Sequence, residues 1–215
     1  MSRPSTIVTE FDLATARWHL PGQAGELTAP PQDGRPQSAS PDNFCRDELL
    51  PAALALHQAN FNLWHQEDEA RDPAATDAQI ATVKHSIDRT NQQRNDRIEQ
   101  CDARMLGFLA TLQLPRPDAP LHSETPGLML DRLSILTLKL YHTQEEISRP
   151  AAPTGHAERN QQRLAILLDQ RNDLAGCLDE VWRAVLQGER RFKLYRQLKM
   201  YNDPALNPVL YLAGS

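Results

Sequence analysis

Cysteine is scarce in this chain. Its 215 residues hold 3, Cys45, Cys101 and Cys177, far apart and without a Cys-x-x-Cys pair. That excludes a disulfide framework and a zinc-ribbon spacing, and a reducing compartment is expected. Long apolar runs are absent too. A membrane-spanning helix needs roughly 20 apolar residues, and the longest run here, Leu49 to Leu56, is short and broken by Pro51. The first 22 residues have no apolar signal core, so the expected location is the cytoplasm. Basic residues are not in excess. Lys and Arg number 23 against 28 Asp and Glu, for a net charge of −5, with both signs mixed along the chain. A nucleic-acid-binding surface needs a basic field, so nucleic acid is not an expected partner. No Walker loop, Gly-x-Gly-x-x-Gly, zinc-finger spacing or Gly-x-Ser-x-Gly elbow occurs. Alternating apolar and polar runs of the kind that make half-buried strands are also missing.

What remains is helical periodicity punctuated by proline. Residues 1–43 read as a Pro-rich arm, with Phe11 to Trp18 as a short helix or strand docking on the body. Residues 44–188 read as a bundle of about four long helices, and 189–215 as a short basic helix followed by an extended tail. The first long helix starts near Phe44, capped by Asp42 or Asn43, and meets Pro51 early, as a restart or a kink. It stops by Asp72-Pro73. The second starts after Thr76 or Asp77 and runs to about Leu112, on the order of 50 Å at 1.5 Å per residue. Thr125 caps the third, with Pro126 in its first turn, and the fourth covers about His156 to Leu186 before Gly188. The class is all-α, an antiparallel bundle. A weak internal repeat is present: Asn91 to Arg94 and Asn160 to Arg163 both read NQQR, and QRND also occurs twice.

The inward faces are not simply apolar. Asn60, Trp64, Asp68 and Arg71 fall at helical spacing on the first long helix, with Glu67 sharing a face with Asn60 and Arg71. On the second, Asn91, Arg94 and Asn95 interrupt the stripe of Ile80, Val83, Ile87, Ile98, Met105 and Leu109, and Asp88, Asn91, Asn95 and Glu99 form a row. Polar groups at core-facing positions are costly unless paired, so an internal polar cluster across helices is expected. Two roles fit it. Glu67 and Asp68 serve as an acid/base or metal-binding pair with Arg71 and Arg94 holding phosphate, or Asp68 pairs with an Arg and sets helix register. On the third helix Asp131, Arg132 and Lys139 lie beside the stripe Leu130, Leu133, Ser134, Thr137 and Tyr141, and His57 belongs to the buried stripe of the first. His122, Ser123 and Glu124 precede a helix start, where a capping motif or an anion site fits. The di-iron Glu-x-x-His pattern is absent, and the spacings His65-x-x-Asp68, His85-x-x-Asp88 and His142-x-x-Glu145 are each common in helices. No metal site, cofactor or catalytic residue is assigned.

Four segments, NFNLWHQEDEARD, IDRTNQQRNDRIEQ, LHSETPGLMLDRLSILTLKLYH and KMYNDPALNP, resemble the signature segments of a bacterial family catalogued as domain of unknown function 4254. The resemblance spans about Phe44 to Pro208 and implies an all-helical fold. Family members are typically encoded beside glycosyltransferases of lipopolysaccharide or other surface-glycan synthesis. Two of the segments also look similar to a second uncharacterised group with such neighbours. The matching positions are Asn60, Trp64, Glu67, Asp68, Arg71, Asp88, Asn91, Arg94, Asn95, Asp96, His122, Glu124, Asp131, Arg132, Lys139 and His142. The expected function is that of an accessory or binding protein in surface-glycan assembly, which uses the inter-helix polar cluster to bind a sugar nucleotide or a glycosyltransferase partner. An enzyme acting on a sugar or nucleotide, and a purely structural homodimer, are the alternatives.

Overall fold

A computed structural model describes residues 3–22, 40–196 and 205–208. Within them the chain is an all-helical bundle. A 3-10 turn at Pro4–Thr6 leads into α1, Ile7–Trp18. Next come α2, Pro41–Phe44, a π turn at Cys45–Leu49 and α3, Leu50–Glu69. Three long helices follow: α4, Asp77–Thr111, α5, Pro126–Ile147, and α6, His156–Leu186. Among the described residues there is no strand, only an isolated bridge between Leu121 and Arg191. None of their helices is long and apolar enough to cross a membrane.

The caps explain the boundaries. Thr76 accepts a bond from Gln79 N while the Gln79 side chain accepts from Thr76 N at 2.8 Å, a reciprocal capping box at the head of α4. Thr125 caps α5 by accepting from Leu128 N at 3.3 Å, with Pro126 at the first helical position. Gly188, at φ 72, ends α6 in the left-handed conformation that a residue with a Cβ adopts only with strain. Ser40, rather than Asp42 or Asn43, caps the segment before α3, and Pro41 takes its first turn. Pro51 lacks an N–H, so the α-register cannot run unbroken through it. The backbone opens into the π turn Cys45–Leu49 and restarts as α3.

The hub is α5, which packs against α1, α3, α4 and α6. Leu130 and Leu133 point into the core, where Phe44, Phe108 and Trp182 pack their rings together, and Leu138 joins a second cluster with Ala14, Trp18 and Phe61. Its N-terminus meets α4 closely. A Cβ on Gly127 would lie 2.6 Å from the Ile98 carbonyl oxygen, so only glycine fits. Of the two conformations expected for Phe11 to Trp18, the helix is the one formed. As α1 it buries Ile7, Phe11 and Trp18 against the bundle.

The segment expected to be a basic helix is not one where it is described. Residues 189–196 carry no helical turn. Arg191 N donates to Pro120 O at 3.1 Å, His122 N donates to Arg191 O at 2.7 Å, and Phe192 is buried in the core. Gly188 turns the chain and Phe192 anchors it, so the backbone is spent on the 119–122 loop instead of on helical bonds. Residues 197–200 and most of the expected extended tail lie outside the described residues, as does 23–39 of the Pro-rich arm.

Candidate functional site

The polar residues on the inward faces form a continuous hydrogen-bonded chain through four helices. Arg94 on α4 grips Asp131 on α5 bidentately, through Nε at 2.8 Å and through Nη2. Asn60 on α3 donates to the same carboxylate at 2.9 Å and to Ser134 Oγ at 3.0 Å. Ser134 Oγ lies 2.8 Å from His57 Nδ1. His57 Nε2 lies 3.2 Å from the Phe11 carbonyl and 2.8 Å from Thr15 Oγ1 on α1. A carbonyl only accepts, so Nε2 carries the proton and Nδ1 accepts from the Ser134 hydroxyl. His57, Asn60, Asp131 and Ser134 are all buried. Burial pushes the His57 pKa down to about 3, and the Phe11 carbonyl opposes this only in part. The imidazole is therefore neutral at physiological pH. The Asp131 carboxylate raises the pKa of Arg94 through its hydrogen bonds, against the effect of burial.

A second buried carboxylate sits where α4 meets α5. Asp102 accepts from Gly127 N at 2.7 Å. Burial raises its pKa to about 6, with a smaller push from Glu99, while bonds from Thr125 and Gly127 pull the other way.

The expected site residues separate into three groups. Asn60, Trp64, Glu67, Asp68, Arg71 and Arg94 line one cavity of about 330 Å³, with Leu63, Ile135 and Leu138 as its apolar wall. Asp131 lies next to it as the partner of Asn60 and Arg94. His122, Glu124, Arg132 and Lys139 line a different and larger groove of about 940 Å³ between α5 and α6, which Asp173, Cys177, Glu180 and Arg190 complete. Lys139 and Gln170 continue it into a neighbouring depression of about 800 Å³ that reaches Trp64, His142 and Arg163. Asp88, Asn91 and Asn95 line neither. The buried row of α4 is Ile87, Thr90, Ile98 and Cys101. Asp88 is turned about 100° from Ile87 and is exposed, while Asn91 and Asn95 are turned as far from Thr90 and Arg94 and are half-buried.

One pairing differs from expectation. Asp68 is exposed, and Glu67 is the residue that pairs with Arg71, at 2.7 Å. Four residues along a helix brings those two side chains together, whereas Asp68 and Arg71 stand three apart with Asp68 turned outward. The register lock falls to Arg94 and Asp131, on different helices. Glu124 holds Arg132 at 2.6 Å, and the His122 ring bonds the Glu124 carbonyl at 2.6 Å. His57 and Ser134 were placed on buried stripes by spacing alone. Their periodicity marks burial, but no short motif marks the bond that joins them. The two NQQR segments sit in unlike surroundings: Arg94 binds Asp131, and Arg163 bonds Asn160 on its own helix.

The fold and site define an all-helical bundle with an internally satisfied polar network and a charged groove along its central helix. The chain belongs to the family described as protein of unknown function (DUF4254), whose model matches residues 51–194. That match covers three of the four resembling segments, and KMYNDPALNP lies beyond it. No curated protein and no solved structure matches the chain.

Proposed function

We propose that the chain is a binding protein for a phosphate-bearing glycan precursor, such as a sugar nucleotide, and acts as an accessory to a glycosyltransferase in surface-glycan assembly. The α5–α6 groove is the binding surface in this reading. The observation that carries it is the groove's volume of about 940 Å³ together with Lys139 and Arg190 on its walls. Small-molecule sites fall at roughly 300–1,000 Å³ and combine apolar walls with a few polar groups. Met129, Ile135, Leu136, Leu174 and Val181 supply the apolar part here. Among the described residues no carboxylate forms an ion pair with Lys139 or Arg190, which leaves both cations for a diphosphate. Glu124, Asp173 and Glu180 provide acceptors for sugar hydroxyls. The glycan setting and the glycosyltransferase partner rest on the family resemblance.

The polar network plays a different part. Its buried groups are paired within the protein, so it fixes the helices to one another. Arg71 and Arg94, which an enzyme of the alternative kind would need free for phosphate, are held by Glu67 and Asp131.

Isothermal titration calorimetry with UDP-glucose, UDP and glucose 1-phosphate tests this reading. Binding is expected to weaken about tenfold or more in Lys139→Ala and Arg190→Ala, the loss of a charge-assisted bond of roughly 1.5–3 kcal/mol. Asp68→Asn should leave it unchanged. Absence of binding by all three probes, or binding indifferent to both cation variants, rejects the groove as the site.

A further inference from the structure

Three histidines from three helices meet at the end of the bundle where α1 stops. His19 follows α1, His65 is in the last turns of α3, and His142 is near the end of α5. Each offers one ring nitrogen, and the three nitrogens lie within 4.8 Å of one another. The rings do not stack among themselves. Their planes cross at 67°, 76° and 80°, with centroids 5.0–5.7 Å apart. Rings that turn edges rather than faces to a shared point can aim their in-plane lone pairs at it.

The outer nitrogens are already held. His19 Nδ1 lies 2.8 Å from the Thr15 carbonyl, and His142 Nδ1 lies 2.8 Å from the Glu145 carboxylate. Both partners are acceptors, so both Nδ1 atoms carry a proton, and in the neutral ring each Nε2 is a bare lone pair. These two Nε2 atoms are buried and have no hydrogen-bond partner. A buried acceptor without a donor carries a desolvation cost, and here two such atoms share one spot with a third imidazole. The surroundings also fix the ring planes. Tyr141 stacks on His19 at 4.2 Å, Trp64 stacks on His142 at 4.6 Å, and Phe61 packs its edge against His19 and His65.

We propose that His19, His65 and His142 form a binding site for a divalent transition-metal ion of the Zn²⁺ type, with an open fourth position. Neutral imidazoles are ligands for such ions, and a histidine ligand ordinarily donates its other N–H to a carboxylate or backbone carbonyl. Glu145 and Thr15 occupy those two outer roles. A tetrahedral zinc site has Zn–N distances of about 2.0–2.1 Å, which separates its nitrogens by about 3.3 Å. The present triangle closes to that size by ring movements of about 1 Å. The ion would tie α1 to α3 and α5. His142 also lines the depression that continues the α5–α6 groove, but none of the three histidines lines the groove itself, so the metal and the ligand proposed there are tested independently.

The test uses the full chain without a histidine tag, stripped with chelator and dialysed against Zn²⁺, and in parallel loaded with Co²⁺ for its visible spectrum. Binding of one Zn²⁺ per chain is expected, with a Co²⁺ spectrum of tetrahedral nitrogen ligation. His65→Ala, which removes one ligand, should abolish the spectrum and weaken Zn²⁺ binding at least about 100-fold, while Glu145→Ala, which removes an outer acceptor, should weaken it about 10–100-fold. His85→Ala, an exposed histidine elsewhere on α4, should change neither. No stoichiometric Zn²⁺, or equal binding by His65→Ala and the parent with matching circular dichroism, overturns the proposal.

Discussion

Replacing Asp102 by Asn should steepen the acid dependence of stability, because two buried groups currently offset each other. His57 has a folded pKa of about 3, against about 6.5 when unfolded. Between those values the unfolded chain binds the extra proton, so stability falls as pH drops through this window. The full effect is about 5 kcal/mol at 1.36 kcal/mol per pKa unit. Asp102 has the opposite sign. Its folded pKa of about 6 stands above the unfolded value of about 3.9. Its contribution is fully present below the unfolded pKa and is lost as pH rises through the folded one, about 3 kcal/mol in all. Near pH 5 each group exchanges close to one proton on unfolding, in opposite directions, and the two slopes nearly cancel. Asn at position 102 keeps an oxygen to accept from Gly127 N and mimics the protonated acid. The variant should therefore match the parent near pH 4, exceed it by up to about 3 kcal/mol near pH 7.5, and show an added slope of about 1.4 kcal/mol per pH unit around pH 5. Urea unfolding followed by circular dichroism, at closely spaced pH values, measures this directly. The other carboxylates are common to both proteins and drop out of the difference. Parallel curves for parent and variant would refute the reasoning.

Two further outcomes bear on the helix contacts. Arg94→Ala removes two of the three bonds to a buried carboxylate and should destabilise by about 3 kcal/mol, at the low end for a broken buried pair because the Arg94 side chain keeps some water contact. A double-mutant cycle with Asp131→Asn should return a coupling of about 2 kcal/mol, and a value near zero would mean the pair is not felt. Gly127→Ala places a methyl 2.6 Å from a backbone oxygen that cannot rotate away. Despite the better helix propensity of Ala, it should cost about 1–3 kcal/mol, read as a drop of roughly 2–4 °C in Tm per kcal/mol.

The helices are legible because their ends are written locally. Thr76 with Gln79, and Thr125 with Pro126, are short-range signals that no tertiary packing needs to override. The 189–196 segment is not legible in the same way. Its alternation of cations and aromatics fits a helix, but Phe192 is claimed by the core and Arg191 by the 119–122 loop, and both partners are remote in sequence. The polar network is half legible. Asn60 and Arg94 stand out as polar groups on apolar stripes, yet their shared partner Asp131 is on a third helix, and the register that joins them depends on how closely α4 and α5 approach at Gly127. Asp131 and Arg132 are neighbours in sequence, yet Asp131 is buried in the network and Arg132 lines the groove, which spacing on one helix does not reveal. The histidine triad is the least legible feature. His65 and His142 stand in common i, i+3 patterns, and His19 lies in a stretch that sequence alone leaves outside the bundle.

That α5 is wrapped by α1, α3, α4 and α6 bears on how the chain can vary. A helix with neighbours on every side has few positions where a substitution is felt by only one of them. The first half of α6 is the reverse, with Ile166 and Leu168 open to solvent. Across a saturation library scored for folded protein, α5 should therefore be the least tolerant helix and the start of α6 among the most tolerant. Sequence drift would then accumulate at the start of α6, along the depression that continues the groove, while the α5 side stays nearly fixed.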